Sequence, residues 1–222
     1  MTHTLTLQEI EPVTHDVHCL RFDKPDGFTF KPGQAIEMHL DRDGWRDEGR
    51  PFTMTSLPED DFLEFTIKSY PDHNGVTEQI GKMRPGDRVI VSDVFGAITD
   101  SGPGVFIAGG AGVTPFISIL RRRRRDKALD GCTLLFSNRQ EKDIIRRDEF
   151  EAMEGLETVF TVTDEAVDGL YTRMIDGKML DEVVGDYGRR FYVCGPPPMI
   201  DAVVGLLEGK GVPGDRITIE TA

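Results

Sequence analysis

Arg50, Pro51, Phe52 and Thr53 stand in one row within the segment "RPFTMTS", behind a charged loop, "DRDGWRDEGR". A guanidinium, a flat ring and a hydroxyl this close together make a seat for a flat, anionic ligand, because the cation meets an oxyanion while the ring stacks. The bland reading is a surface turn. A second group is the glycine loop "GGAGVTP", which holds Gly109, Gly110, Gly112, Thr114 and Pro115 between an apolar run and a helix-forming one. Glycines there let backbone amides approach a pyrophosphate, and the helix N-terminus adds partial positive charge. The spacing departs from G-x-G-x-x-G because Pro115 stands where that pattern closes, and a plain strand–helix turn reads the same way. The third group is "YVCGPPPMI", where a strand ends in Cys194 and Gly195 before three prolines that begin with Pro196. Ligands gather at the C-terminal ends of strands in an open α/β sheet, so this segment and the glycine loop are expected to face one crevice. Taken alone, Cys194 reads as a small buried hydrophobe.

The elements that must position these groups follow two grammars. From Thr2 to about Thr99, short alternating runs ("HTLTLQEI", "VHCLRF", "AIEMHL", "FLEFTIKSY", "DRVIVSDV") are separated by Gly- and Pro-rich turns. Many strands of about 5 to 8 residues with such turns predict a barrel or sandwich. The exception is "VTEQIGKM", where Val76, Ile80 and Met83 fall at helical spacing and predict one short helix. After about Asp100, strands and helices alternate: "GVFIAG", "TPFISILRRRRRDKA", "GCTLLFSN", "IIRRDEFEAME", "LETVFTVTD", "MIDGKMLDEVV", "RFYVCG", "PPMIDAVVGLLEGKG" and "RITIET". That alternation predicts a doubly wound, mostly parallel sheet, with Pro115 tolerated in the first helical turn. The expected domains are 1–100, an antiparallel barrel, and 101–222, the α/β domain, joined near "DSGPG".

Composition narrows the partners. The 222 residues carry a net charge of −13, which argues against nucleic acid and anionic membrane surfaces, since both require a basic face. The longest weakly polar run, Gly102 to Leu120, contains five glycines and two prolines and is a poor membrane span. Cys19, Cys132 and Cys194 lie far apart, so no metal-ligand or iron–sulfur spacing is present. With three cysteines and an N-terminus unlike a signal peptide, the expected compartment is the reducing cytoplasm.

Taken in order, "RPFTMTS", "GVT" (Gly75, Val76, Thr77), "GGAGVTP" and "VCGPPPM" resemble the ferredoxin–NADP reductase family from about Leu5 to Glu220. The resemblance implies a six-stranded antiparallel barrel that binds flavin, FAD in the first place and FMN in the second, followed by a nicotinamide-nucleotide domain. It implies that Arg50 pairs with the flavin diphosphate, that Phe52 replaces the usual tyrosine against the flavin ring, and that Thr53 replaces the usual serine near flavin N5. Gly75, Val76 and Thr77 would wrap the diphosphate, Ile67 and Lys68 would lie along the flavin, and Tyr70 would stack on an adenine. The glycine loop would receive the nicotinamide nucleotide. Cys194, Gly195 and Pro196 would line the hydride-transfer geometry, with Cys194 giving shape rather than nucleophilicity.

Ser137 and Arg139 in "FSNRQEKD" fall where the family meets the adenosine ribose, and an arginine there with no acid before Glu141 leans towards NADPH over NADH. Glu220 resembles an acidic residue that some relatives keep near the nicotinamide, with proton relay as its implied role. The last residues, Glu220, Thr221 and Ala222, include no aromatic, so a flavin face that is open or covered by something small is expected. The run Arg121 to Arg125 is read as a solvated helix end whose cations complement the C-terminal dipole, the other reading being a docking patch for an acidic carrier. The implied function is an FAD-dependent NAD(P)H oxidoreductase that passes electrons to a separate acceptor such as flavodoxin, ferredoxin or an oxygenase component. The alternative is a flavin- and nucleotide-binding electron-transfer or sensing subunit without turnover of its own.

Overall fold

The structure is a computed structural model that describes residues 2–221. Ala222, part of the terminus without an aromatic, lies outside the described residues.

The first sheet contains β1 (His3–Pro12), β2 (Val17–Asp23), β3 (Ala35–Leu40), β4 (Arg50–Thr53), β5 (Phe62–Lys68) and β6 (Arg88–Val91). Its order is β4-β3-β6-β1-β2-β5, with every pairing antiparallel. An isolated bridge from Met54 to Phe65 joins the two edges into a near-barrel. Alternation fills its interior: Leu5 and Leu7, Leu20 and Phe22, Leu63 and Phe65, and Val89 and Val91 share one core. The short helix α1 (Val76–Ile80) plugs one end through Val76 and Ile80. The sequence reading did not assign a strand to "RPFT", and β4 is only four residues long and exposed at its first two. It exists because β3 supplies its ladder, with Ala35 opposite Thr53 and Ile36 opposite Phe52.

The second sheet contains β7 (Gly104–Gly109), β8 (Cys132–Asn138), β9 (Leu156–Val162), β10 (Arg190–Gly195) and β11 (Ile217–Thr221), all parallel, in the order β11-β10-β7-β8-β9. Its helices are α2 (Thr114–Arg125), α3 (Arg147–Glu151), α4 (Gly177–Val184) and α5 (Pro197–Gly209). α2 covers one face with Phe116, Ile117 and Leu120, while α4 and α5 cover the other with Leu180, Val203 and Leu207. Central strands buried on both faces read as continuous apolar runs, as β7 does. The α4 terminus is set by Asp176, whose side chain accepts from the Met179 amide at 2.7 Å, a cap of about 1 kcal/mol. The helix expected over 144–154 shortens to α3, because Ile144 and Ile145 are buried in the core and Arg146, left-handed at φ +54°, breaks the helix before Arg147. Among the described residues no helix is long and apolar enough to cross a membrane.

Candidate active site

The chain winds from β7 to β8 and β9 on one side of the parallel sheet, then crosses to β10 and β11 on the other. The switch point therefore lies between β7 and β10, where an open α/β sheet leaves its binding crevice. Both nucleotide motifs stand at that gap. β7 ends in Gly109, and β10 ends in Cys194 and Gly195.

The close fit explains the glycines. A methyl group added at Gly112 would lie 2.5 Å from the Cys194 carbonyl carbon and 2.6 Å from the Gly195 nitrogen. One at Gly195 would lie 3.2 Å from Gly109 Cα and 2.9 Å from Met199 Cε. Backbone meets backbone here, which only glycine permits. Gly110 serves differently: its φ is +53°, and nothing stands within 4 Å of where a side chain would project. That leaves an open, amide-lined surface. Gly110 to Val113 form a turn of tight helix leading into α2, with Pro115 in the first turn and the Thr114 hydroxyl donating to the Ala111 carbonyl at 3.0 Å. At the other motif, Pro196 caps α5 and the next two prolines form its first turn, where missing N–H groups cost least.

Cys194 is buried, and burial, followed by the charge of Glu220, pushes its thiol up to about 12. It is therefore a neutral thiol at physiological pH, which suits a wall of the crevice and not a nucleophile. Glu220 sits opposite Cys194 in the β10–β11 ladder. Its Oε2 accepts from the Ala97 and Ile98 amides at 3.0 and 3.1 Å, so this carboxylate ties β11 to the end of the first domain.

This tie leads to the segment Arg50–Thr53. A methyl at Gly96 would lie 3.5 Å from both Glu220 Oε2 and the Ala35 nitrogen, and Ala35 faces Thr53 across the β3–β4 ladder. The strand "RPFT" and the Cys194 end of the crevice thus lie on the same side of the molecule. Thr53 is buried, and its hydroxyl makes no hydrogen bond among the described residues. Phe52 is half-buried against the barrel core. Arg50 is exposed, its guanidinium held loosely by the Gly49 carbonyl at 2.6 Å and Glu48 at 3.6 Å. An anion can displace such contacts readily.

Other sequence candidates are placed as follows. Gly75 caps α1, its carbonyl accepting from the Glu78 and Gln79 amides, while the first amides of that helix have no partner within it. Ile67 is buried in the barrel, and Lys68 pairs with Asp16 at 2.8 Å. Burial raises the Asp16 carboxyl, but the hydrogen bond and charge of Lys68 bring it below its ordinary value. Tyr70 is exposed and stacks on His73, with ring centroids 5.6 Å apart. Ser137 and Arg139 bracket the end of β8, and the exposed Arg139 side chain has no partner among the described residues.

The arginine run departs from the solvated reading at its first residues, while Arg124 and Arg125 stay exposed at the helix end. Arg121 and Arg123 are largely buried, and four of the five side chains are paired: Arg121 with Glu64 and Glu149, Arg122 and Arg125 with Glu59, and Arg123 with Asp100. Glu59 and Glu64 belong to the barrel half of the chain, so Arg121 and Arg122 form a seam between the two sheets ahead of the exposed end of the run. The sequence missed this because a cation run has no period that reveals which acids fold against it. A cleft of about 420 Å³ opens on this seam between the β1–β2 turn and residues 141–149, lined by charges of both signs and separate from the crevice.

The match to known families agrees with this arrangement. Residues 3–87 match the family described as "FAD-binding domain", and residues 106–205 match "Oxidoreductase NAD-binding domain". The chain belongs to the FAD- and NAD-binding oxidoreductases of ferredoxin reductase type. It is 35% identical to the reductase component of propane 2-monooxygenase from Rhodococcus jostii (strain RHA1), over 94% of this chain and 60% of that protein. It is 28% identical to the ferredoxin–NAD(P)(+) reductase component of the naphthalene 1,2-dioxygenase system from Pseudomonas putida, over 96% of this chain and 66% of that one. The chain thus spans about 60 to 66% of the length of these relatives. In fold it is similar to the FAD/NAD-binding domain of nitric oxide dioxygenase from Vibrio cholerae O1 biovar El Tor, with a TM-score of 0.88, 22% identity and coverage of 99% and 98% of the two chains.

Proposed function

We propose that this chain is a reductase module that takes electrons from NAD(P)H through FAD and delivers them to a separate acceptor, an oxygenase component, ferredoxin or flavodoxin. The observation that carries this reading is the meeting of Gly112 with Cys194 and Gly195 at the switch point, on the same side as the strand of Arg50 and Thr53. A bound flavin would supply the chemistry, hydride acceptance from the nicotinamide and single-electron return. The chain supplies binding, orientation and exclusion of water.

In this reading Arg50 and the first amides of α1, after Gly75, hold the diphosphate. Phe52 would support the ring, and the unengaged Thr53 hydroxyl would be free to hydrogen-bond to it. Gly109, Gly110 and Thr114 receive the nicotinamide nucleotide, and neutral Cys194 shapes the wall where it stacks. Glu220 holds that wall against the barrel through the Ala97 and Ile98 amides. The unpaired guanidinium of Arg139 and the adjacent Ser137 hydroxyl suit a 2′-phosphate, which favours NADPH. The relatives named as oxygenase reductase components support an oxygenase component as acceptor. The three buried, free cysteines suit a reducing compartment such as the cytoplasm.

The test is anaerobic mixing of flavin-loaded protein with NADPH and, separately, NADH, following loss of the oxidised flavin band. Fast bleaching is expected, faster with NADPH. Absence of bleaching with both nucleotides would replace this reading with a binding subunit that does not turn over.

A further inference from the structure

The arginine run has no place in the crevice, yet it begins on the helix that leaves the glycine loop. Arg121 lies seven residues after Thr114, about 11 Å along α2 at ~1.5 Å per residue. Its Nη1 donates at 2.7 Å to the Thr55 carbonyl and at 2.7 Å to Glu64 Oε1. Its Nε and Nη2 grip Glu149 at 2.5 and 2.9 Å, so the guanidinium is held on both sides. Thr55 follows the flavin strand by two residues. It is fixed to β5 by its amide, which donates to the Glu64 carbonyl at 2.7 Å, and by its hydroxyl, which donates to Glu64 Oε1 at 2.8 Å. Arg146 reaches Glu64 Oε1 at 3.3 Å, and Arg21 reaches Oε2 at 3.2 Å. A short, stiff path therefore runs from the nicotinamide loop, through α2 and Arg121, to the end of the flavin strand.

We propose that Arg121 is a positioning residue that sets the orientation of the glycine loop relative to the strand Arg50–Thr53. The inference rests on the reading of these two segments as the nicotinamide and flavin seats. Apolar contact between the halves is thin: the barrel half contributes Val17 and Ile98, with partly buried Val13, to the large cluster of the second domain. Such contact has no direction and tolerates tilt. Three hydrogen bonds, Gly33 amide to Ser118 Oγ at 3.0 Å and the two of the Glu220 tie, act along α2 and at the crevice. Arg121 acts at the far end of the lever, where a planar guanidinium resists rotation as a single hydrogen bond does not. Hydride transfer needs this control, because a misplacement of about 1 Å costs on the order of a hundredfold in rate. A buried ion pair that serves stability alone predicts different behaviour on substitution.

The experiment compares flavin-loaded wild type with Arg121→Met and with the double variant Arg121→Met/Glu149→Gln, which removes the charge of the carboxylate that loses both of its close contacts. Three quantities are read: flavin content, the KM and maximal rate of flavin reduction by the nicotinamide nucleotide, and the calorimetric unfolding profile. In Arg121→Met, flavin content and KM are expected to stay within about twofold while the maximal rate falls tenfold or more. The double variant is expected to regain melting temperature and remain slow. A wild-type rate in Arg121→Met, or recovery of rate along with stability in the double variant, would overturn the proposal. If wild-type flavin is bleached by neither nucleotide, the reductase reading fails on its own and calorimetry decides the inference. One transition in wild type and two in Arg121→Met then support the coupling of the two halves, and one transition in both overturns it.

Discussion

The N-terminal end of α2 meets its neighbours through Gly109, Gly110 and Gly112, where the chain has no side chains, whereas its C-terminal end meets the barrel through arginines. At the first end, Gly109 and Gly112 admit close backbone packing, and Gly110 alone leaves open space where a side chain would stand. At the second, four carboxylates and two backbone carbonyls surround the cations. Removing atoms creates room for a ligand, and adding charge fixes one body against another. A binding crevice and a rigid seam need opposite compositions, and one helix carries both.

The sharpest way to break this contrast is to add one carbon where the chain has none. Gly112→Ala places a methyl against the Cys194 carbonyl. We expect flavin reduction by NAD(P)H to fall at least about a hundredfold and stability by about 1 to 3 kcal/mol from the forced shift of backbone. Stopped-flow reduction and thermal melting check this; normal values in both would show that the contact relaxes without consequence. The same change at Gly205, which has nothing within 4 Å, is expected to leave both quantities near wild type.

A smaller effect is expected at the exposed cations of the crevice side. Arg50→Ala should weaken flavin retention roughly tenfold, since a charge-assisted contact contributes about 1.5 kcal/mol or more, with little effect on apoprotein melting. Equal flavin content after dialysis would remove Arg50 from the diphosphate site. Arg139→Ala should raise the KM for NADPH about tenfold and leave that for NADH unchanged. A parallel rise for both nucleotides would mean that Arg139 does not read the 2′-phosphate.

The seam responds to acid. Burial raises the Glu64 carboxyl, but the charges of Arg121 and Arg146, with hydrogen bonds from Arg121 and Thr55, pull it down to about 2. A depressed carboxyl contributes stability that is fully present above its unfolded value near 4.5 and is lost as pH falls towards about 2. The linked contribution is on the order of 3 kcal/mol. Glu64→Gln should therefore melt lower than wild type at pH 7, and the two curves should converge as pH falls from about 4.5 towards 2. A constant difference over that window would show that Glu64 is not the titrating group.

Sequence alone determined the two architectures, because each is written in a local period. Alternation along "HTLTLQEI" and "VHCLRF" became β1 and β2, and the strand–loop–helix order around "GVFIAGGAGVTP" became β7, the glycine turn and α2. Motif chemistry was also legible, since glycines, prolines and a lone arginine carry meaning through backbone freedom and charge at known places in an element. The tertiary structure alone decided which of those places meet. The switch point between β7 and β10 follows from strand order, and no local pattern encodes strand order. β5 shows the reason most clearly. "FLEFTIK" alternates like a strand with one wet face, yet Glu64 and Thr66 on that face are buried, because α2 and α3 carry Arg121 and Glu149 over it. Period fixes which side of a strand a residue takes, and only the packing of distant elements decides whether that side meets water or a guanidinium.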